Sequence, residues 1–480
     1  MDDTGSLKRS VLRAVGWASA TRLIGQMVNW AMTLATVRFL NPHDYGLMAI
    51  TMALNGFLQS VSSIGFANVI VQRRIGEEDL RKVFGLILLS NAACLLVLCA
   101  IAPAAAWFYG EPRLVALLLV ASLMFIANAL QAIPRATLEK KLDLKTVSRV
   151  DMLSNIAGGA LVLFLAWFGA GVWSLVSGAL FTAFLRTIGV GFAAPYFRRP
   201  RFTLRNLSGI LHFGGLRTAE NLLWAVYSSS DVFIIGKLLG PQILGVYSVS
   251  RYVAALPIEK LAQVINPVAF PAFSRVQDDR DEALRYLRKA IRILAVVCLP
   301  ILFGIAATAP QVVAVALGSK WSQAAPPLAI LAFGMALRPI GLLIPSFLSG
   351  IGEYVASFKN TLFATIMFPV AFVIGSHWGL VGVCAAWLVA YPLQLFSLVR
   401  RVALITKTSI TGLLLPLLSP LAASLIMYVA VRAAATLLPD NLGVWGSIVW
   451  LVATGALVYI GYAGTFLRPV FVELAGLVRR

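Results

Sequence analysis

Apolar runs long enough to cross a bilayer alternate along this chain with short polar breaks. A helix needs about 20 apolar residues to span the hydrocarbon, and windows of that length recur between charge clusters and Gly/Pro turns. They predict fourteen helices, approximately over residues 11–40, 45–70, 83–108, 113–138, 147–168, 171–194, 211–238, 243–272, 286–309, 323–350, 355–377, 379–400, 412–437 and 444–467. The alternating ten-residue strands of a membrane barrel do not occur in the sequence.

Composition supports an all-α polytopic membrane protein. The 480 residues are 59% hydrophobic and 12% charged, against roughly 25% charged in soluble domains. The apolar run reaching Leu40 is too long for the core of a secretory signal and reads as an uncleaved first span. Cys94, Cys99, Cys298 and Cys384 all fall in apolar runs, where they act as small buried hydrophobes rather than as a disulfide or metal framework. His43, His212 and His377 are scattered at span ends, so no metal site is expected.

The net charge of +20 is carried mainly by loops. One alternate set contains QRR, LRK, EKKLDLK, FRRPR and SRVQDDRDEALRYLRKAIR, whereas the other holds only Arg113, Lys237 and Lys320. Basic residues mark cytoplasmic loops, which places both termini inside. Nucleic acid is not implied, because that needs a basic face on a soluble domain.

One turn is written twice. VRFLNPHDYG, from Val37 to Gly46, reappears as GKLLGPQILG, from Gly236 to Gly245, with Lys237 for Arg38, Pro241 for Pro42 and Gly245 for Gly46 at a constant offset of 199 residues. Gly16 and Gly215 match at the same offset. Six spans separate the copies, so the halves share their topology, as in transporters built from parallel repeats. The chain divides on this basis into lobes at 1–200 and 201–404, with 405–480 as two extra helices.

Four predicted helices carry polar stripes. Arg22, Gln26, Asn29 and Thr33 follow the i, i+4, i+7, i+11 spacing of one helical face. Span 2 repeats it with Thr51, Asn55, Gln59 and Ser62, span 7 with Arg217, Glu220, Asn221, Ser228 and Asp231, and span 8 with Ser248, Arg251, Tyr252, Glu259, Gln263 and Asn266. A charge deep in a bilayer costs at least about 2.5 kcal/mol, so it faces a partner or a wet cavity. Arg22 is about 16 Å along its helix, too deep to snorkel easily. Arg217 and Glu220 are close enough to neutralise each other. Three roles are open to Asp231: holding a cation or proton, pairing with Arg251, or pairing with Arg22. Lys260 and Arg186 reach the inner surface and read as structural, while Arg338 lies midway along span 10 and Arg432 near the outer end of span 13. Pro257, Pro267 and Pro271 should kink span 8.

Three function classes remain to be weighed. A polymerase or glycosyltransferase calls for a long outer loop or an outer acidic pair, yet the outer loops are short and the Asp278, Asp279 pair is on the inner side. A primary pump needs a nucleotide site, and no GxxxxGK[ST] occurs. A secondary carrier is left, taking an anionic polar solute, because Arg22, Arg217 and Arg251 with Arg38 and Lys237 outnumber Glu220, Asp231 and Glu259. Arginine forks fit phosphate oxygens, and Trp224, Tyr227 and Tyr252 suit sugar rings.

The segments RLIGQMVNWAMTLATVRFLNPHDYGLMAI, DVFIIGKLLGPQILGVYSVSRYVAALP and PVAFPAFSRVQDD, with GSKW after them, resemble the polysaccharide-transporter branch of the multidrug/oligosaccharidyl-lipid/polysaccharide exporter superfamily. The likeness is to Wzx-type flippases of the colanic acid and succinoglycan exporter kind and runs over nearly the whole chain. It implies two pseudo-symmetric six-helix lobes around a central cavity lined by helices 1, 2, 7 and 8. It also implies the flipping of undecaprenyl-diphosphate-linked oligosaccharides from the cytoplasmic to the periplasmic leaflet of a bacterial inner membrane. By that similarity Arg22 and Arg251 meet the diphosphate, with Arg217 as a third, and Gln26, Asn29, Asn55, Gln59, Asn221 and Tyr252 line the cavity. No cofactor is implied beyond coupling to protons or sodium, for which Asp231 and Glu220 are the candidates. The implied partners are membrane lipids, a polysaccharide polymerase and a chain-length regulator.

Overall fold

The computed structural model describes residues 25, 28, 30–62, 76–141, 143–196, 198–202, 208–277, 279–438 and 442–466, with the backbone alone at 208–219, 263–268, 270 and 271. Every regular element among them is helical. Backbone contacts divide the chain into two compact units, Met1–Ser229 and Ser230–Arg480.

The first unit contains α1 (Pro42–Ser62), α2 (Glu77–Tyr109), α3 (Arg113–Ser122), α4 (Met124–Lys140), α5 (Leu144–Trp167), α6 (Val172–Ala193) and the start of α7 (Ser208–Leu238). The second holds the rest of α7, then α8 (Gly240–Arg275), α9 (Arg280–Ala307), α10 (Ala309–Ala316), a 3-10 turn at Ser319–Ala324, α11 (Ala325–Gly334), α12 (Arg338–Gly350), α13 (Tyr354–Ser376), α14 (Gly379–Thr406), α15 (Ile410–Thr436) and α16 (Val444–Phe466).

Local chemistry sets the helix ends. Glu77, Glu78 and Asp79 fill the first turn of α2, where the helix dipole favours negative charge. Gly110, at φ 70°, closes it by donating to the carbonyls of Ala106 and Trp107. Asp279 caps α9 by accepting from the Asp281 and Glu282 amides. Within the first unit, Gly158 and Gly178 let α5 and α6 approach closely: a Cβ on Gly158 would lie 1.8 Å from Thr182 Oγ1, and one on Gly178 2.0 Å from Val162 Cγ2.

Ten spans among the described residues are long and apolar enough to cross a membrane, counting Arg113–Lys140 and Ser319–Gly350 as one each. Three more helices, α1, α7 and α8, have the length, at 21, 31 and 36 residues, but not the apolarity. They are three of the four on which the sequence places polar stripes. The fourth, over 11–40, is described only from residue 25 and in part, its helix running over 30–39. The observed order matches the expected spans from the second onward; the full count of fourteen rests on the first, most of which lies outside the described residues.

Large apolar side chains such as Leu96, Ile366, Val389 and Leu457 are exposed on the outsides of these helices, the arrangement required when the surrounding solvent is hydrocarbon. The chain is a multi-span membrane protein. In each unit the basic residues gather at one end of the helices. Arg81, Lys82, Lys140, Lys141 and Lys145 do so in the first, and Arg280, Arg285, Arg288, Arg400 and Lys407 in the second.

Among the described residues two spans are interrupted. The fourth breaks at Leu123 between α3 and α4, and the tenth over residues 335–337 between α11 and α12. Pro257 leaves α8 continuous from Gly240 to Arg275; the side chains of Pro267 and Pro271 lie outside the described ones.

Candidate functional site

The duplicated turn is the starting point. Arg38 is exposed next to the last residue of the helix over 30–39, and Lys237 is exposed next to the last residue of α7. Each chain end then turns and re-enters a helix at a proline, Pro42 opening α1 and Pro241 sitting in the first turn of α8. Proline fits there because its missing N–H has no helical partner to lose. In the second copy Gly240, at φ 83°, supplies the left-handed residue that reverses the chain. In the first copy side chains pin the turn: His43 bonds Glu111 at 2.8 Å, and Asp44 accepts from the Val172 amide at 3.1 Å.

The turn into α8 brings Asp231 of α7 against Tyr247 and Arg251 of α8. Arg251 donates from Nη1 to Asp231 Oδ2, forming a salt bridge. Tyr247 donates its hydroxyl to the same oxygen at 2.6 Å. Trp387 of α14 donates its indole N–H to the Tyr247 oxygen at 2.9 Å. The other carboxylate oxygen accepts the Val232 amide at 2.8 Å. Of the three roles open to Asp231 in the sequence, pairing with Arg251 is the one the structure contains.

Burial grades across this network. Tyr247, Asp231 and Trp387 are buried, Asp231 to 1% exposure, whereas the Arg251 side chain keeps 31%. Arg251 is therefore the one member of this polar chain whose side chain is partly exposed. Trp387 is itself fixed by Phe368 and Phe372, whose ring centroids lie 5.2 and 5.6 Å away. Arg338, brought to the start of α12 by the break in the tenth span, places its guanidinium carbon 5.9 Å from the centre of the Trp387 indole. That is within the range of cation–π attraction.

The first unit has a different polar arrangement. Asn55 is buried and donates to the Ala121 carbonyl at 2.9 Å, beside the break between α3 and α4. Gln59 accepts from Asn128 at 2.7 Å, and Gln131 donates to Asn128 at 2.7 Å. One turn further along α4, Arg135 bonds both Glu139 and Asp151, and Asp151 also takes Arg186 at 2.8 Å. Arg186 thus has a structural partner, as the sequence suggests.

Arg22, Gln26 and Asn29 lie outside the described residues, and Arg217 and Gln263 are described by backbone only. Asn221, Trp224 and Tyr252 are exposed, and Glu220 is half-buried. No cluster of three metal-binding side chains occurs among the described residues.

Sequence reasoning missed Tyr247, Trp387 and the pairing of Asn128 with Gln59. Tyr247 was within reach, since it lies one turn before Arg251 on the same face of α8. Trp387 carries no such signal, being 140 residues from the phenol it binds.

A family model described as polysaccharide biosynthesis protein matches residues 35–326 of this chain. The chain belongs to that family. Similar members include the lipopolysaccharide biosynthesis protein WzxC of Escherichia coli (strain K12), 25% identical over 391 residues, which are 80% of this chain and 79% of that one. The succinoglycan biosynthesis transport protein ExoT of Rhizobium meliloti (strain 1021) is 24% identical over 347 residues, 72% of this chain and 70% of that one. Among solved structures, the lipid II flippase MurJ in an inward closed conformation superposes with a TM-score of 0.76 at 16% identity, covering 95% of this chain and 99% of that one. At that identity the likeness shows a shared fold.

Proposed function

We propose that this chain is a flippase of polysaccharide assembly, moving undecaprenyl-diphosphate-linked oligosaccharide repeat units from the cytoplasmic to the periplasmic leaflet of a bacterial inner membrane. It is a transport protein and not an enzyme. The observation that carries the reading is Arg251, held on a buried carboxylate with its side chain 31% exposed, in a helix too polar for a plain span. An arginine in such a place suits a diphosphate, whose oxygens match the guanidinium fork. The transport and polysaccharide terms in the relatives' names fit the same cargo.

In this reading lobes at 1–200 and 201–404 alternate in access, with 405–480 adding two helices. Arg22, Arg251 and Arg217 meet the diphosphate, and Gln26, Asn29, Asn55, Gln59, Asn221 and Tyr252 contribute the polar lining. The basic helix ends face the cytoplasm, together with both termini. The lipid tail stays in the bilayer, and a polymerase and a chain-length regulator act on the delivered unit. Proton or sodium coupling falls to Glu220 or Asp231. An ion reaching Asp231 has to displace Arg251 first.

The test is polymer export in cells depending on this chain. Arg22→Ala or Arg251→Ala should abolish export while the protein still inserts in the membrane. Unchanged export in both variants would refute the assignment.

A further inference from the structure

We infer that Asp231, Tyr247 and Trp387 are positioning residues: together they hold the Arg251 guanidinium in place to receive the diphosphate, as a set that the first copy of the turn does not repeat. The inference rests on the flippase reading above and adds to it the groups that make Arg251 a fixed anion receptor.

Hydrogen-bond direction in the network follows from the chemistry of its members. An indole N–H only donates, so Trp387 must give its proton to the Tyr247 oxygen. The phenol has a single proton of its own, and the Asp231 oxygen 2.6 Å away receives it. Asp231 is then held at both oxygens, by Tyr247 on Oδ2 and by the Val232 amide on Oδ1. A carboxylate so held cannot turn, and the guanidinium that bonds it inherits its orientation. Fixing a charged group before its ligand arrives removes the ordering cost from binding. The Trp387 indole is in turn locked between Phe368, Phe372 and the Arg338 guanidinium.

A bland alternative is that the pair merely glues α7 to α8. The repeat argues against it. The residues 199 positions before Asp231, Tyr247 and Arg251 are Met32, Met48 and Met52. The corresponding positions of the first copy therefore hold three methionines where the second has an acid, a phenol and a guanidinium. The first copy makes the same turn without the polar set. Its presence in one copy marks a task that the other does not share, and the partial exposure of Arg251 beside buried partners gives that task a direction.

The test is binding of undecaprenyl diphosphate to the purified full-length protein, read by native mass spectrometry beside thermal unfolding of each variant. Arg251→Ala should weaken binding about 10-fold or more, and Asp231→Asn, Tyr247→Phe and Trp387→Phe each about 3- to 10-fold. The double variant Asp231→Asn with Arg251→Gln separates positioning from glue. It should unfold near the wild-type temperature, since no buried charge is left alone, yet bind as weakly as Arg251→Ala. Wild-type binding in both Tyr247→Phe and Asp231→Asn would overturn the positioning role while leaving the flippase reading intact, whereas wild-type binding in the double variant would overturn the positioning role and the assignment of Arg251 to the diphosphate together. Failure of the wild-type protein to bind undecaprenyl diphosphate would remove the functional reading, and the positioning role with it.

Discussion

Tyr247 and Asp231 lie on different helices, and the fully buried phenol of one donates to the carboxylate of the other at 2.6 Å. The same oxygen takes Arg251, so this buried carboxylate balances the Arg251 guanidinium. Deleting one side of a buried ion pair leaves a charge in a poor solvent. Asp231→Ala should therefore destabilise the protein by about 3–5 kcal/mol, and Tyr247→Phe, which removes one neutral donor, by about 1 kcal/mol. Thermal unfolding in detergent ranks the two, and equal effects would mean that the charge is solvated.

The segment after α6 is strapped to the start of α2. Arg201 donates its amide to the Arg81 carbonyl at 3.0 Å, Arg81 returns a bond to the Arg199 carbonyl at 2.8 Å, and Arg198 and Arg201 pair with Glu77 and Glu78. Gly85 permits the approach, since a Cβ there would lie 2.3 Å from the Arg201 carbonyl oxygen. Gly85→Val should lift the strap, and limited trypsin digestion should then cut after Arg198, Arg199 or Arg201 faster than in the wild type. An unchanged cleavage rate would show that the strap does not depend on this contact.

Sidedness is testable without function. With the basic helix ends inside, a cysteine placed at His377 should react with a membrane-impermeant thiol reagent added to intact cells, and one at Asp279 should not. The reverse pattern would invert the topology.

Asp143 caps α5 by accepting from the Thr146 amide at 3.1 Å, and the bonds to Thr146 hold its carboxyl below the ordinary value of 3.8. A depressed folded-state pKa contributes stability above the unfolded value and loses it as pH falls through the folded one. Amide exchange in the first turn of α5 should therefore speed up in Asp143→Ala at neutral pH. The difference from wild type should vanish in acid below pH 3.8.

Much of the fold is legible in the sequence because lipid leaves few choices: an apolar run of spanning length can satisfy its backbone only as a helix. The helices of lower apolarity are legible for the same reason, since polar stripes at helical spacing mark α1, α7 and α8 directly. The partner of a polar residue is harder to read. Asp231 finds Arg251 across a turn, a local relationship that the duplicated motif already frames. Trp387 and Arg338 join the same network from distant helices, and the break that delivers Arg338 falls at residues 335–337, ahead of Pro339. Asn55 shows the converse. Its place on a polar stripe is visible, but its bond to the Ala121 carbonyl depends on an interruption at Leu123 that has no proline to announce it.

The central claim is that this protein carries a lipid-linked sugar across the bilayer by its phosphates. The most direct measurement is translocation in vesicles containing only the purified protein, using a fluorescent undecaprenyl-diphosphate oligosaccharide and the matching sugar lipid without phosphate. Protein-dependent flipping of the diphosphate lipid, absent for the phosphate-free lipid and lost in Arg251→Ala, is the predicted result. Equal flipping of both lipids, or undiminished flipping of the diphosphate lipid by Arg251→Ala, would contradict it.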